Sequence, residues 1–240
     1  MNTYRKSAIT VGLLFLTALI LNPIATEILD PILNTPDYLD KAYTGRNLVI
    51  TGNLLNLICA IAMIFIPISL FPVARKNNES LASSYIVFRA LEGMLFIYIA
   101  IKSLSFISLS KVYITEAAQN ASYLQSLGNS IHSEIYWATI IYIIIYTLGG
   151  VTFYYLLYKS KLVPRFLSIW GLMAVVLLFV GAILGLFSLG IFNRLPLMKA
   201  MVYFAPPIAI NEFVLALWLI IKGYNSPAIN SDASKTDNKL

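Results

Sequence analysis

The chain has 240 residues, of which 59% are hydrophobic and only 12% charged. Soluble domains carry roughly 45–50% apolar and about 25% charged residues, so a water-soluble globule is excluded and lipid is the expected solvent. The formal net charge of +6 does not point to nucleic acid. Lys and Arg sit in short clusters at the ends of apolar runs and form no continuous basic face, a placement that fits membrane topology and anionic headgroups.

Crossing ~30 Å of hydrocarbon takes about 20 mostly apolar residues in a helix. Six runs qualify, near 7–29, 48–71, 81–101, 135–158, 166–189 and 200–221. They are continuous and do not alternate, which excludes a membrane barrel. The expected fold is all-α: a polytopic bundle of about six transmembrane helices over residues 1–224, then a disordered polar tail at 225–240.

In chain order, Arg5 and Lys6 precede an apolar run from Ala8 to Leu21 that imitates a secretory signal peptide. Thr26 would make a poor cleavage site, so a retained first helix is expected. Pro31, Pro36 and Gly45 predict an irregular outer loop at 30–46. The second run holds Asn53, Asn56, Pro67 and the single cysteine, Cys59. One cysteine allows no intrachain disulfide, and within an apolar run it reads as a small hydrophobe. The third run holds Arg89 and Glu92.

An outer loop at 103–133 follows. Its apolar positions Val112, Ala117, Ala121, Leu124 and Leu127 recur near helical spacing and predict a short interfacial helix. The sequon Asn120-Ala121-Ser122 reads as chance. His132 and Glu134 open the fourth run, with Asn129 or Ser130 as its cap. A metal site needs several convergent ligands, so no metal and no cofactor is expected. Gly149-Gly150 and the Gly181–Gly185 pair read as close helix packing. Arg165 and Trp170 mark the inner start of the fifth run, and Trp218 the inner end of the sixth, where they anchor the chain at the interface. Trp137 likewise falls near a helix end. The sixth run also carries Pro206, Pro207, Asn211 and Glu212. Prolines in spans can mark a broken helix at a site.

With the N-terminus inside, the inner side collects Arg5, Lys6, Arg75, Lys76, Lys159, Lys161, Arg165, Lys222, Lys235 and Lys239. The outer side keeps Lys41, Arg46, Lys111, Arg194 and Lys199, with Lys102 at the boundary. The imbalance predicts both termini in the cytoplasm.

Arg89, Glu92 and Glu212 fall deep inside predicted spans, where a charge costs at least ~2.5–3.5 kcal/mol on insertion scales. Arg89 and Glu92 are three apart and share a helix face. Glu92 and Glu212 lie at ~15–16 Å from the inner side along their helices. The three are therefore expected to converge, with Asn211, Asn53 and Asn56 satisfying leftover donors and acceptors. The network reads either as glue between helices or as a ligand, ion or proton site.

Three stretches carry a resemblance: Leu70-Phe71-Pro72-Val73 followed by Arg89-Ala90-Leu91-Glu92; Ser160-Lys161-Leu162-Val163-Pro164-Arg165-Phe166-Leu167 with Gly171; and Pro207 through Glu212 to Leu215–Gly223. In order and spacing they resemble the bacterial membrane family labelled domain of unknown function 4386, over about Ala8 to Gly223. The resemblance implies a six-helix protein of the bacterial inner membrane and transfers no catalytic residue. It draws attention to Arg89, Glu92, Arg165 and Glu212.

The reading that follows is a non-enzymatic multi-pass protein binding a small molecule, a lipid or another membrane protein, with the lipid bilayer as its constant partner. The alternative is a small secondary transporter using Glu92 and Glu212 with Arg89, since each half of three spans carries a carboxylate in its third. An intramembrane enzyme would need a nucleophile–base pair, and none stands out.

Overall fold

The computed structural model describes residues 3–187, 201 and 203–225. The loop carrying Arg194 and Lys199, the polar tail and the side chain of Ala117 lie outside the described residues. Seven helices with described bounds follow in order among the described residues: α1 Thr3–Leu33, α2 Tyr38–Thr44, α3 Arg46–Ala74, α4 Glu79–Thr115 and α5 Asn120–Ser160, α6 Arg165–Leu186, and α7 Pro206–Ile221. Five of them (α1, α3, α4, α5 and α6) are long and apolar enough to cross a membrane. There is no strand among the described residues, and the chain is a membrane-embedded helical bundle.

Local chemistry sets the helix ends. The Asn78 side chain accepts a hydrogen bond from the Leu81 N–H at 3.0 Å and caps α4. Pro206 and Pro207 occupy the first turn of α7, where a missing N–H costs nothing. They start a helix directly after the turn at 203–205, so the run expected over 200–221 is broken there and its described helix begins at Pro206. Pro23, Pro31, Pro67 and Pro72 are carried inside α1 and α3.

The largest departure from expectation is at 103–133. This is no loop with a short helix: α4 and α5 run through it and meet at a kink where Asn120 leaves helical geometry (φ −128°, ψ 15°). The two helices fold back on each other. Phe88 faces Gly149, Phe96 faces Tyr142, Lys102 pairs with Glu134 and Phe106 packs on His132. Each arm runs 14–15 residues past its expected end, about 20 Å at 1.5 Å per residue. Asn129 and Ser130 therefore cap nothing, and the Asn129 carbonyl accepts an ordinary in-helix bond from Ser133. Trp137 lies near the middle of α5 and not at an end.

The extended hairpin is paired with a second correction. The loop expected to be irregular at 30–46 contains α2, leaving only 34–37 outside helices on its near side. Ile32, Leu33, Tyr38, Leu39, Ala42, Val49 and Phe106 bury together there as a small core separate from the main one. The serines that made 103–110 look loop-like serve this contact: the Ser110 hydroxyl donates to the Leu39 carbonyl at 2.6 Å and accepts from the Tyr43 N–H at 2.8 Å.

Elsewhere α1 lies between α3 and α7, and α6 lies against the hairpin and α7. At Gly12 the backbone of α1 approaches α7 so closely that a Cβ would sit 2.7 Å from the Ala216 carbonyl oxygen and from Ile220. Gly149 and Gly150 pack on Phe88 and Val175, and Gly181 on Phe204. At one end of the bundle the Arg5 guanidinium donates to the last carbonyls of α7, 3.3 Å to Leu219, 2.6 Å to Ile220 and 3.2 Å to Ile221. The start of α1 and the end of α7 therefore share one face.

Replacing Gly12 by Val forces α1 and α7 apart or strains both. The expected loss is about 1–3 kcal/mol, read as a lower thermal midpoint in detergent, with Gly12→Ala losing less. An unchanged midpoint for Gly12→Val would contradict the close approach.

Candidate functional site

The site is assembled from four helices. On α4, Tyr85, Arg89 and Glu92 follow at i, i+4 and i+7 and share one face. Tyr146 comes from α5, Glu212 from α7 and Phe15 from α1. Arg89 Nη1 donates to both carboxylate oxygens of Glu92, at 2.9 and 3.1 Å, and Arg89 Nε donates to the Tyr85 hydroxyl at 3.0 Å. Arg89 Nη2 faces Glu212 Oε1 at 3.8 Å, an ion pair too long for a hydrogen bond. The Tyr146 hydroxyl donates to that same oxygen at 2.8 Å.

Aromatic rings enclose the guanidinium. Its carbon lies 5.4 Å from the Tyr85 and Tyr146 ring centres and 6.0 Å from that of Phe15. Phe153 stacks on Tyr85 at 4.7 Å. Such faces carry negative charge density and favour a cation. The side chains of Arg89 and Glu92 are 5% and 1% exposed, that of Glu212 13%.

Charge is divided unevenly here. One guanidinium meets two carboxyl groups, and Glu92 takes two of its three short bonds, the Tyr85 hydroxyl taking the third. Glu212 keeps a tyrosine hydroxyl and a distant nitrogen, and its second oxygen has no hydrogen-bond partner among the described residues. In low dielectric such an imbalance is expensive.

The three ionisable residues picked out by depth in the sequence thus lie together. The asparagines do not join them. Asn211 turns to α6 and donates from Nδ2 to the Leu167 carbonyl at 3.0 Å. Asn53 bonds Val49 and the Ser103 hydroxyl at 2.8 and 2.9 Å. Asn56 Oδ1 is buried without a hydrogen-bond partner among the described residues. Asn211 and Asn53 thus serve helix contacts of their own, to α6 and α4. Arg165 is exposed at the start of α6, 5.4 Å over the Tyr158 ring. Trp170 and Trp218 are half-buried. His132 is wedged between Tyr38 and Phe106, while Glu134 turns to Lys102 and the Tyr98 hydroxyl.

The tyrosines of the site were missed in the sequence. A signal was present: Tyr85 precedes Arg89 by four residues, and Tyr142, Tyr146 and Tyr154 repeat at multiples of four, one face of α5.

The family model for the domain of unknown function 4386 matches residues 10–223. The chain belongs to this family. The match runs from within α1 to just past the end of α7 and includes every residue of the ionic cluster. No curated protein and no solved structure matches the chain.

Removing Arg89 leaves two carboxyl groups facing each other in hydrocarbon. Arg89→Ala should cost about 3–5 kcal/mol. Adding Glu212→Gln to it should restore part of that loss, measured as thermal midpoints in detergent. Strict additivity of the two changes would show that Arg89 and Glu212 do not interact.

Proposed function

We propose that this chain is a non-enzymatic multi-pass protein of the bacterial cytoplasmic membrane, with six spans and both termini cytoplasmic, that binds a small cationic molecule at Glu212. The observation that carries the reading is the uneven pairing of Arg89: Glu92 is held by two bonds of 2.9 and 3.1 Å, whereas Glu212 stands 3.8 Å away. Glu212 is also the most open of the three side chains. An organic cation there would complete the charge balance against the free carboxylate oxygen and rest on aromatic faces already turned toward a positive charge.

The orientation draws on the basic clusters and on the shared face of Arg5 and the α7 end. Two chemical facts favour binding over pure glue. A structural network gains most when every group is paired, and a carboxylate left with one oxygen unpaired works against stability. Glu212 pays that cost where a ligand could reach it.

Two experiments test this. Protein in nanodiscs is heated with and without ethylammonium or tetramethylammonium chloride, against sodium chloride at equal ionic strength. The organic cation should raise the midpoint progressively with concentration, and Glu212→Gln should abolish the rise while Glu134→Gln keeps it. An equal rise in Glu212→Gln would overturn the reading. For orientation, a reporter active only in the cytoplasm should report when fused after Leu240 and stay silent when inserted at Thr35. The reverse pattern inverts the topology.

A further inference from the structure

Three buried polar atoms, on residues that meet at one turn of α6, have no hydrogen-bond partner among the described residues: the Tyr154 hydroxyl, Ser168 Oγ and Asn211 Oδ1. All three residues are almost fully buried, Tyr154 at 1% and Ser168 and Asn211 at 0% exposure. Their placement follows from contacts already described. Asn211 reaches from α7 to the Leu167 carbonyl. One turn on, the Tyr154 ring from α5 fills the space that a Cβ at Gly171 would take. Ser168 belongs to the same turn, three residues before Gly171.

The donors and acceptors are complementary. Asn211 Nδ2 is committed to a carbonyl, which leaves Oδ1 as an acceptor only. The two hydroxyls each offer a proton and lone pairs. Ser168 is also unusual for this chain. Several serines and threonines inside its other helices return their hydroxyl to a backbone carbonyl one turn back, as Thr17, Thr51, Ser84, Ser105 and Thr139 do, and Ser7 and Ser110 donate to a carbonyl of another helix. Ser168 makes no such bond.

Leaving a buried polar group unmade costs roughly 1–3 kcal/mol each. Three such costs on one helical turn are too many for a contact that is dry by design, and the atoms are the two or three partners that a buried water requires.

We propose that the α5–α6–α7 contact is a binding site for ordered water, held by Tyr154, Ser168 and Asn211. The water accepts from the two hydroxyls and donates to Asn211 Oδ1. It ties three helices together through a single molecule, directly beside the turn of α7 that carries Glu212. The proposal does not rest on a cation at Glu212 and stands whether or not that carboxylate binds a ligand.

Radiolytic hydroxyl labelling of the protein in nanodiscs tests it, because bound water is itself converted to the labelling radical. Tyr154 should label at a rate comparable to exposed Tyr123, while buried Phe106 stays unlabelled. Ser168→Ala or Asn211→Leu should reduce Tyr154 labelling several-fold. Thermal midpoints give the second reading. Tyr154→Phe lowers the midpoint if the hydroxyl holds water, and leaves it equal or raises it if the hydroxyl is merely stranded. An unlabelled Tyr154, labelling that both variants leave unchanged, or a midpoint that does not fall in Tyr154→Phe would each overturn the proposal.

Discussion

A guanidinium held in hydrocarbon is the constraint around which this bundle is organised. An arginine cannot shed its charge, so the protein must supply compensation at the depth where Arg89 sits. It does so from every side: Glu92 and Tyr85 on its own helix, Tyr146 from α5, Glu212 from α7 and the Phe15 ring from α1. Those contacts fix the rotation of four helices about their axes. The same packing brings α1 against the α7 backbone at Gly12, while Gly171 on α6 makes room for the Tyr154 ring.

The molecule solves two different problems at its two ends. The main core, from Ala8 and Phe15 through Tyr85 and Phe153 to Leu215, sits among helices with abundant outward-facing apolar side chains, as lipid requires. The second core, around Tyr38, Leu39 and Phe106, is gathered by a seven-residue helix and by serines that satisfy its backbone. That arrangement resembles a small aqueous domain more than a span. The hairpin of α4 and α5 belongs to both, which is why its arms exceed a membrane's thickness.

Much of this was legible in the sequence. Long apolar runs gave the helices and their order, and the cost of isolated charge gave the convergence of Arg89, Glu92 and Glu212. Hydropathy misled at 103–133 because it measures preference for lipid, not for helix; Ser103 and Ser110 lower the score while helping α4 continue beyond the spans. No proline or glycine lies between Gly93 and Gly128 to end it. The tyrosines were hidden for the opposite reason. In a chain with 15 of them, a ring that packs on lipid and a ring that bonds Arg89 read alike until partners on other helices are known. The same holds for Asn211, whose partner is a backbone carbonyl that no sequence pattern marks.

Arg5 joins the first helix to carbonyls 214 to 216 positions further along the chain. Synthesis runs from the N-terminus, so α1 enters the membrane long before those carbonyls exist. Throughout that interval Arg5 has no helix end to cap and the small face at Gly12 has no neighbour. The seam between α1 and α7 is therefore the last to close, and it is a contact of high sequence separation, which makes closure intrinsically slow. The nascent chain stays open along that seam until α7 arrives, and the half-built bundle must be sheltered there by lipid or by the insertion machinery.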